Sequence, residues 1–465
     1  MTRKGMLRYA LLAAISSASA ATSAAEMTAA PVTAKPMAGA LGGADFATGH
    51  KIRSLRAVDL GLPSADALNA LRARRDDQHR NGEPMEIGMA RQVERSRIDL
   101  TGLDWEALAD GSHGARFTLT STNAAAVRAG LRLSAAGKRG GDPSAVTLRF
   151  AGNDGRVFAD NGRSYSGAQA GWSPVVAGPT ITVEIVLAPG QRPDAFSLSV
   201  PQLSHLDVDP AASTRDLAKS GVGASAACEQ DIVCRANPSA GFLAASKSVA
   251  RMVYTSGGSS YLCTGTLLNN SNSPKRQLFW TAAHCIDTQA EADSLQTYWF
   301  FDATACNNDT ANPGAVTLTG GAFLRHANAG RDTALLELKT APPAGAFYAA
   351  WNSTAITATG TGIEGIHHPA GDLKKYSLGG VTNVSGSIDG KSPLTQVIWN
   401  AGVTEGGSSG SALFTVDGNG DYQLRGGLYG GYSACKKRGQ LGPDKPDYYS
   451  QLSGVWSSIS TYFGP

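Results

Sequence analysis

Between about Glu86 and Pro210 the chain runs in short stretches that alternate apolar and polar residues. Examples are Ala115-Arg-Phe-Thr-Leu-Thr, Ala145-Val-Thr-Leu-Arg-Phe, Thr180-Ile-Thr-Val-Glu-Ile-Val-Leu and Phe196-Ser-Leu-Ser-Val. A period of two puts successive side chains on opposite faces, so each stretch reads as a half-buried strand and not a helix. Turn signals such as Asn153-Asp-Gly and Asp160-Asn-Gly separate such runs. Tight turns between short strands build antiparallel sheets, and the region is expected to be a β-sandwich. The same texture, Gly, Ser and Thr between β-branched runs, resumes further on, so the whole chain is expected to be all-β. At 465 residues it is too long for one ordinary domain.

The N-terminus has a different character. Arg3, Lys4 and Arg8 precede an apolar run from Tyr9 to Ile15, and Ala18-Ser19-Ala20 or Ser23-Ala24-Ala25 offers a small-residue cleavage site. This pattern predicts a secretory signal over residues 1–25 and a secreted protein. The apolar run is too short to span a bilayer, and no membrane association is expected. An Ala/Pro-rich stretch from Met27 to Gly43 reads as a disordered leader. Pro63 to Arg80 reads as a helix whose basic run, Arg72 to Arg75, is a solvated face. With 17% charged residues and a net charge of +3, nothing argues for nucleic acid.

All six cysteines lie between Cys228 and Cys435. An even count in an exported chain argues for disulfides, although six cysteines allow about 15 pairings. A zinc site lacks the C-x-x-C pair it needs, so no metal or other cofactor is expected. Before the first cysteine lies a polar break, Asp207 to Gly223, containing Lys219-Ser220-Gly221. Exposed polar linkers are where proteases cut, which makes Lys219 and Ser220 a candidate processing site.

The chemistry concentrates in the C-terminal half. Thr404-Glu-Gly-Gly-Ser-Ser-Gly-Ser-Ala-Leu-Phe is a tight Gly/Ser loop entering an apolar run. A serine hydroxyl becomes a nucleophile when a histidine takes its proton and an acid orients that histidine. His284 ends the apolar run Leu278-Phe-Trp-Thr-Ala-Ala-His-Cys, where Cys285 could bond Cys263 and fix its backbone. Asp332 directly precedes Thr333-Ala-Leu-Leu-Glu-Leu. The loop also fits G-x-S-x-G, the nucleophile elbow of α/β-hydrolases, but that fold needs its histidine after the serine. The last histidine here is His368, so the esterase reading fails on chain order.

Together these segments resemble a known family. Cys263-Thr-Gly-Thr-Leu-Leu-Asn-Asn, Thr281-Ala-Ala-His-Cys, Asp332-Thr-Ala-Leu-Leu-Glu-Leu and Gly402-Val-Thr-Glu-Gly-Gly-Ser-Ser-Gly-Ser look like a chymotrypsin/trypsin-type serine protease. Ile366-His-His-Pro and Leu428-Tyr-Gly-Gly-Tyr-Ser-Ala-Cys narrow the resemblance to secreted bacterial lysyl endopeptidases, over about residues 220–465. The resemblance implies a chymotrypsin-like double antiparallel β-barrel over residues 220–465, preceded by a propeptide over 26–219 that ends in the sandwich-like region. It implies His284 as general base, Asp332 as its orienting carboxylate and Ser409 as nucleophile. The N–H groups of Gly407 and Ser409 would form the oxyanion hole. It also implies the pairs Cys228 with Cys435, Cys234 with Cys306 and Cys263 with Cys285.

In trypsins the aspartate that binds a basic side chain sits six residues before the serine, where this chain has Val403. The lysyl endopeptidase group places it in a segment matching Asp447-Tyr448-Tyr449. Asp447 is therefore the expected floor of the primary specificity (S1) pocket, with Tyr429 and Gly430 beside it and Asp444 as a rival. Tyr429 stands where the group often has His. Ser408 replaces the aspartate that pairs with the freed N-terminus in pancreatic-type proteases. Activation by that ion pair is thus closed to this chain, and the propeptide is expected to aid folding or block the site. The function implied is a secreted, monomeric endopeptidase zymogen acting on proteins and peptides after lysine, with arginine as a second residue. The alternative is a catalytically silent homologue serving as an extracellular binding module or adhesin.

Overall fold

The computed structural model describes residues 27–34, 45–49, 56–77, 82–137, 140–212, 222–435 and 445–464. The expected signal, most of the expected leader, Lys219, Ser220 and Asp444 lie outside the described residues.

The alternating runs form two facing sheets. In one, the strands run in the order Val157–Asn161, Val146–Ala151, Thr180–Leu187, His113–Thr120 and Arg56–Asp59. The other holds Ala126–Ala135 paired with Phe196–Leu206. Between them lies a core including Phe117, Leu131, Leu148, Phe150, Ile185 and Leu198. Each such side chain stabilises the fold by about 1.5–3 kcal/mol on burial. The period-two pattern sorts them inward: along His113–Thr120, Ala115, Phe117 and Leu119 are buried and the residues between them are half-exposed.

After residue 222 the chain builds the two antiparallel barrels. The first is made from Val249–Ser256, Ser259–Leu267, Leu278–Thr281, Gln296–Trp299, Ala322–Asn328 and Thr333–Leu338, around Phe279, Trp299 and Leu336. The second joins Gly362–His367, Lys375–Ile388, Lys391–Ala401, Ala412–Val416, Tyr422–Gly431 and Asp447–Tyr449. Val397, Trp399, Leu413 and Tyr449 pack inside it, while Trp280, Ile366 and Phe414 belong to a core shared across both barrels. Cys228–Cys435, Cys234–Cys306 and Cys263–Cys285 are bonded. Among the described residues no helix is long and apolar enough to cross a membrane.

The sandwich and the first barrel are not separate sheets. The strand Met85–Gln92 pairs on one edge with Phe196–Leu206 and on the other with Ser259–Leu267. One sheet of 13 strands therefore runs from the N-terminal unit into the barrel.

Two sequence expectations need correction. Residues Thr28–Ala29 and Val32–Thr33, read as part of a disordered leader, are short strands that pair with Ala350–Asn352 and Phe347–Tyr348. Strand addition uses backbone N–H and C=O groups, so an Ala/Pro-rich stretch carries no side-chain sign of it. The basic run is a solvated face only in part: Arg72 and Arg74 are exposed while Arg75 is buried. The helix Ala65–Asp76, capped by Ser64, holds Arg72 and Arg75 against Asp207 and Arg74 against Glu86, with Arg75 only 4% exposed. These pairs fasten the helix to the strands beneath it.

Candidate active site

The histidine and the aspartate meet because of strand register. Leu278–Thr281 runs antiparallel to Thr333–Leu338 with Thr281 opposite Ala334, which brings His284 and Asp332 to the same end of the pair. Asp332 sits at φ 51°, a left-handed conformation that Asp tolerates better than most residues. One carboxylate oxygen accepts from the His284 backbone N–H at 2.9 Å and the other lies 2.8 Å from Nδ1. Asp332 is 1% exposed, so the pairing is sheltered from water. A carboxylate on Nδ1 holds the proton there and leaves Nε2 as the acceptor. That Nε2 is buried and has no hydrogen-bond partner among the described residues.

The two central serines of the Gly/Ser loop have different surroundings. The Ser377 hydroxyl donates to the Val403 carbonyl at 2.8 Å, so its oxygen must accept from His367 Nε2, 3.0 Å away. His367 Nδ1 is then an acceptor, and the Ser408 hydroxyl donates to it at 2.8 Å. Burial holds His367 neutral, with its pKa pushed down to about 3. Ser408 is fully buried and its proton is committed. Ser409 carries no such bond; it is 7% exposed, and its carbonyl accepts from Thr264 N at 2.8 Å. Thr264 follows Cys263, whose disulfide partner Cys285 follows His284, so serine and histidine are braced from one point.

Gly407 lies at φ 93°, and an added Cβ would meet the His368 carbonyl at 2.9 Å. Only glycine adopts that turn without strain. Among the described residues neither the Gly407 nor the Ser409 N–H donates a hydrogen bond. Two free donors flanking a serine are what a developing oxyanion requires.

Asp447, 1% exposed, lies at the foot of this loop on a strand paired with both Lys391–Ala401 and Tyr422–Gly431. Burial raises its pKa, opposed by hydrogen bonds from Ser433, Trp399 and Thr404. Among the described residues no cation pairs with it. Gly431 packs so close that a Cβ there would sit 2.2 Å from Oδ1. Gly430 precedes it on the same strand, and the Tyr429 ring stands edge-on to His284 with centroids 5.9 Å apart. The Tyr429 hydroxyl donates to Asp389 at 3.3 Å, and burial first, then the Asp389 charge, pushes its pKa up to about 12.

The cleft above these residues is lined from both units: Arg74, Met85 and Glu86 on one side, Tyr261, His284 and Gly406 on the other. Gly82 lies on the Tyr429 ring, where a side chain would overlap it at 2.6 Å. Asp417, at the start of a segment with a calcium-loop look, accepts from Asn419 N and Asp421 N, as a turn between strands does.

Sequence reasoning missed three features: the hydroxyl and indole donors around Asp447, the His367–Ser408 link, and the N-terminal strand whose Met85 and Glu86 line the cleft. Only the second left a signal, in the His-His-Pro segment.

Family comparison covers most of the chain. A family of lysyl endopeptidase C-terminal domains matches residues 222–450, and one of lysyl endopeptidase N-terminal domains matches 59–207. A lysyl endopeptidase from Pseudomonas aeruginosa is 49% identical over 390 residues, covering 83% of this chain and 82% of that protein. Among solved structures, the protease Anisep from Arthrobacter nicotinovorans is 19% identical with a TM-score of 0.34, covering 50% of this chain and 99% of that one. The MamO protease domain from Magnetospirillum magneticum is 12% identical with a TM-score of 0.30, covering 48% and 98%.

Proposed function

Because this chain belongs to the lysyl endopeptidase family and is a serine endopeptidase, we infer that it cleaves peptide bonds after lysine, and after arginine less readily, through an acyl-enzyme. Ser409 attacks the scissile carbonyl while His284 Nε2 takes its proton. Asp332 holds the histidine's tautomer and stabilises the imidazolium that forms. The Gly407 and Ser409 N–H groups receive the oxyanion, and His284 returns its proton to the leaving amine. The observation that carries the substrate reading is Asp447, a buried carboxylate with no cation of its own below the serine loop. A buried charge is costly unless paired, and the ammonium of a substrate lysine supplies the missing partner.

Export and latency complete the reading. Residues 1–25 act as a secretory signal, residues 26–219 as a propeptide, and cleavage after Lys219 frees Ser220 as the mature N-terminus. Support for a blocking role comes from Met85–Gln92 on the barrel edge and from Gly82 against Tyr429. The silent-homologue alternative gives way to the family assignment.

The test pairs lysyl and arginyl esters against the processed enzyme and its Asp447→Asn variant. The variant is expected to lose its preference for basic residues; retained preference places the specificity carboxylate elsewhere. A fluorophosphonate should label Ser409 in the parent and nothing in Ser409→Ala.

A further inference from the structure

Asp447 already holds four donors. Its Oδ2 accepts from Trp399 Nε1 at 2.7 Å, Thr404 Oγ1 at 2.8 Å and Ser433 Oγ at 2.7 Å. Its Oδ1 accepts only from Ser433 N, at 3.1 Å. The orientation of these donors is fixed. Thr404 N donates to Ser433 Oγ at 3.0 Å, so the Ser433 proton is directed at the carboxylate. A carboxylate offers about four lone-pair sites in all, two on each oxygen. Oδ2 shares its two sites among three donors, and Oδ1 has one site left, on the side where Gly431 carries no side chain.

From this shell of donors we propose that Trp399, Thr404 and Ser433 are specificity-determining residues that select lysine over arginine by leaving Asp447 one free acceptor position. The proposal rests on the reading of Asp447 as the floor of the specificity pocket. An ammonium is a point charge that needs a single acceptor from the carboxylate. A guanidinium gains its advantage from two parallel N–H···O bonds, one to each oxygen or two to one edge, and Oδ2 offers no site for the second. Bound by one bond, the guanidinium leaves further donors buried and unpaired in the pocket, which costs it affinity that lysine keeps.

The experiment compares Thr404→Val, Ser433→Ala and the double variant with the parent processed enzyme on matched lysyl and arginyl amides. Active sites are counted by fluorophosphonate titration, so that misfolded protein does not enter kcat/KM. Either single variant leaves two donors on the two sites of Oδ2 and should keep the parent ratio, whereas the double variant frees one site and should raise the arginyl-to-lysyl kcat/KM ratio by about tenfold or more, the worth of one hydrogen bond to a charged group. Competitive inhibition by n-butylguanidine should strengthen relative to n-butylamine in the double variant. Thr404→Ser combined with Ser433→Ala keeps two donors on Oδ2 and should keep the parent ratio. An unchanged ratio in the double variant, or a shift as large in either single variant, overturns the proposal. If the double variant yields no titratable sites, Trp399→Phe combined with Ser433→Ala frees the same oxygen and is held to the same ratio. Asp447→Asn in parallel separates the two levels. Basic preference that survives it sinks the pocket assignment itself, whereas its loss alongside an unmoved ratio sinks only the selection mechanism.

Discussion

The hydrogen bonds at His284 make a definite demand on Asp332. Both of its oxygens are used, one on the backbone N–H and one on Nδ1. Asparagine there would preserve shape but offer an N–H where the imidazole needs an acceptor, favouring the wrong tautomer. Asp332→Asn is expected to lower kcat by about ten-thousandfold with KM nearly unchanged. Steady-state kinetics on a lysyl amide decide it, and a loss confined to KM would remove Asp332 from the proton-transfer machinery. A second acid gives a pH signature. Glu405, which accepts from Ala226 N, has its pKa pushed up to about 7 from 4.5, chiefly by burial and then by the Asp372 charge. The folded protein thus holds a proton that the unfolded chain has already released. Stability present in full below about 4.5 is lost as pH rises through about 7. Glu405→Gln cannot ionise, so its melting temperature should fall less than the parent's across that window. Parallel thermal melts with equal slopes would assign the effect to another group, and buried Glu229, whose pKa is also raised by burial and by Glu405, is the first to examine.

At the scale of elements, the Met85–Gln92 strand is the piece on which the proposed latency turns. It enters at Met85 opposite Leu262 and Glu86 opposite Tyr261, beside the disulfide that braces His284. Met85→Pro removes a backbone donor and clashes with its neighbour strand. The unprocessed protein should then leak activity on a small lysyl ester by roughly fivefold or more, the worth of one ladder hydrogen bond. If the leak does not appear while the fold persists, the cleft is blocked by another contact. Much of this level could be read from sequence, since alternation sorts side chains by face and the sandwich strands follow it. The His284, Asp332 and Ser409 order was legible for a related reason: each stands at the end of an apolar strand, and only certain residue types can do that chemistry there. The strand pairing across units was not legible. It is made by backbone groups, and neither Met85-Glu-Ile-Gly nor Ala29 advertises its neighbour.

For the whole molecule, the same limit explains what was missed around Asp447. Trp399 and Thr404 from one stretch and Ser433 from another converge on one carboxylate, and only the register of the second barrel brings them there. The covalent plan points to a further property. All three disulfides tie residues between Cys228 and Cys435, so no cross-link joins the N-terminal unit to the barrels. Its hold consists of strand edges, buried side-chain hydrogen bonds such as those from Arg128 to Thr255 Oγ1 and the Ser294 carbonyl, and the peptide chain itself. While that chain is whole, the tether keeps the N-terminal unit at an effective concentration in about the millimolar range. Once the linker is cut, occupancy of the cleft follows ordinary mass action. Under the proposed propeptide role, release is then a matter of dilution: crowded molecules would stay mutually silenced, and the same molecules dispersing into a larger volume would switch on.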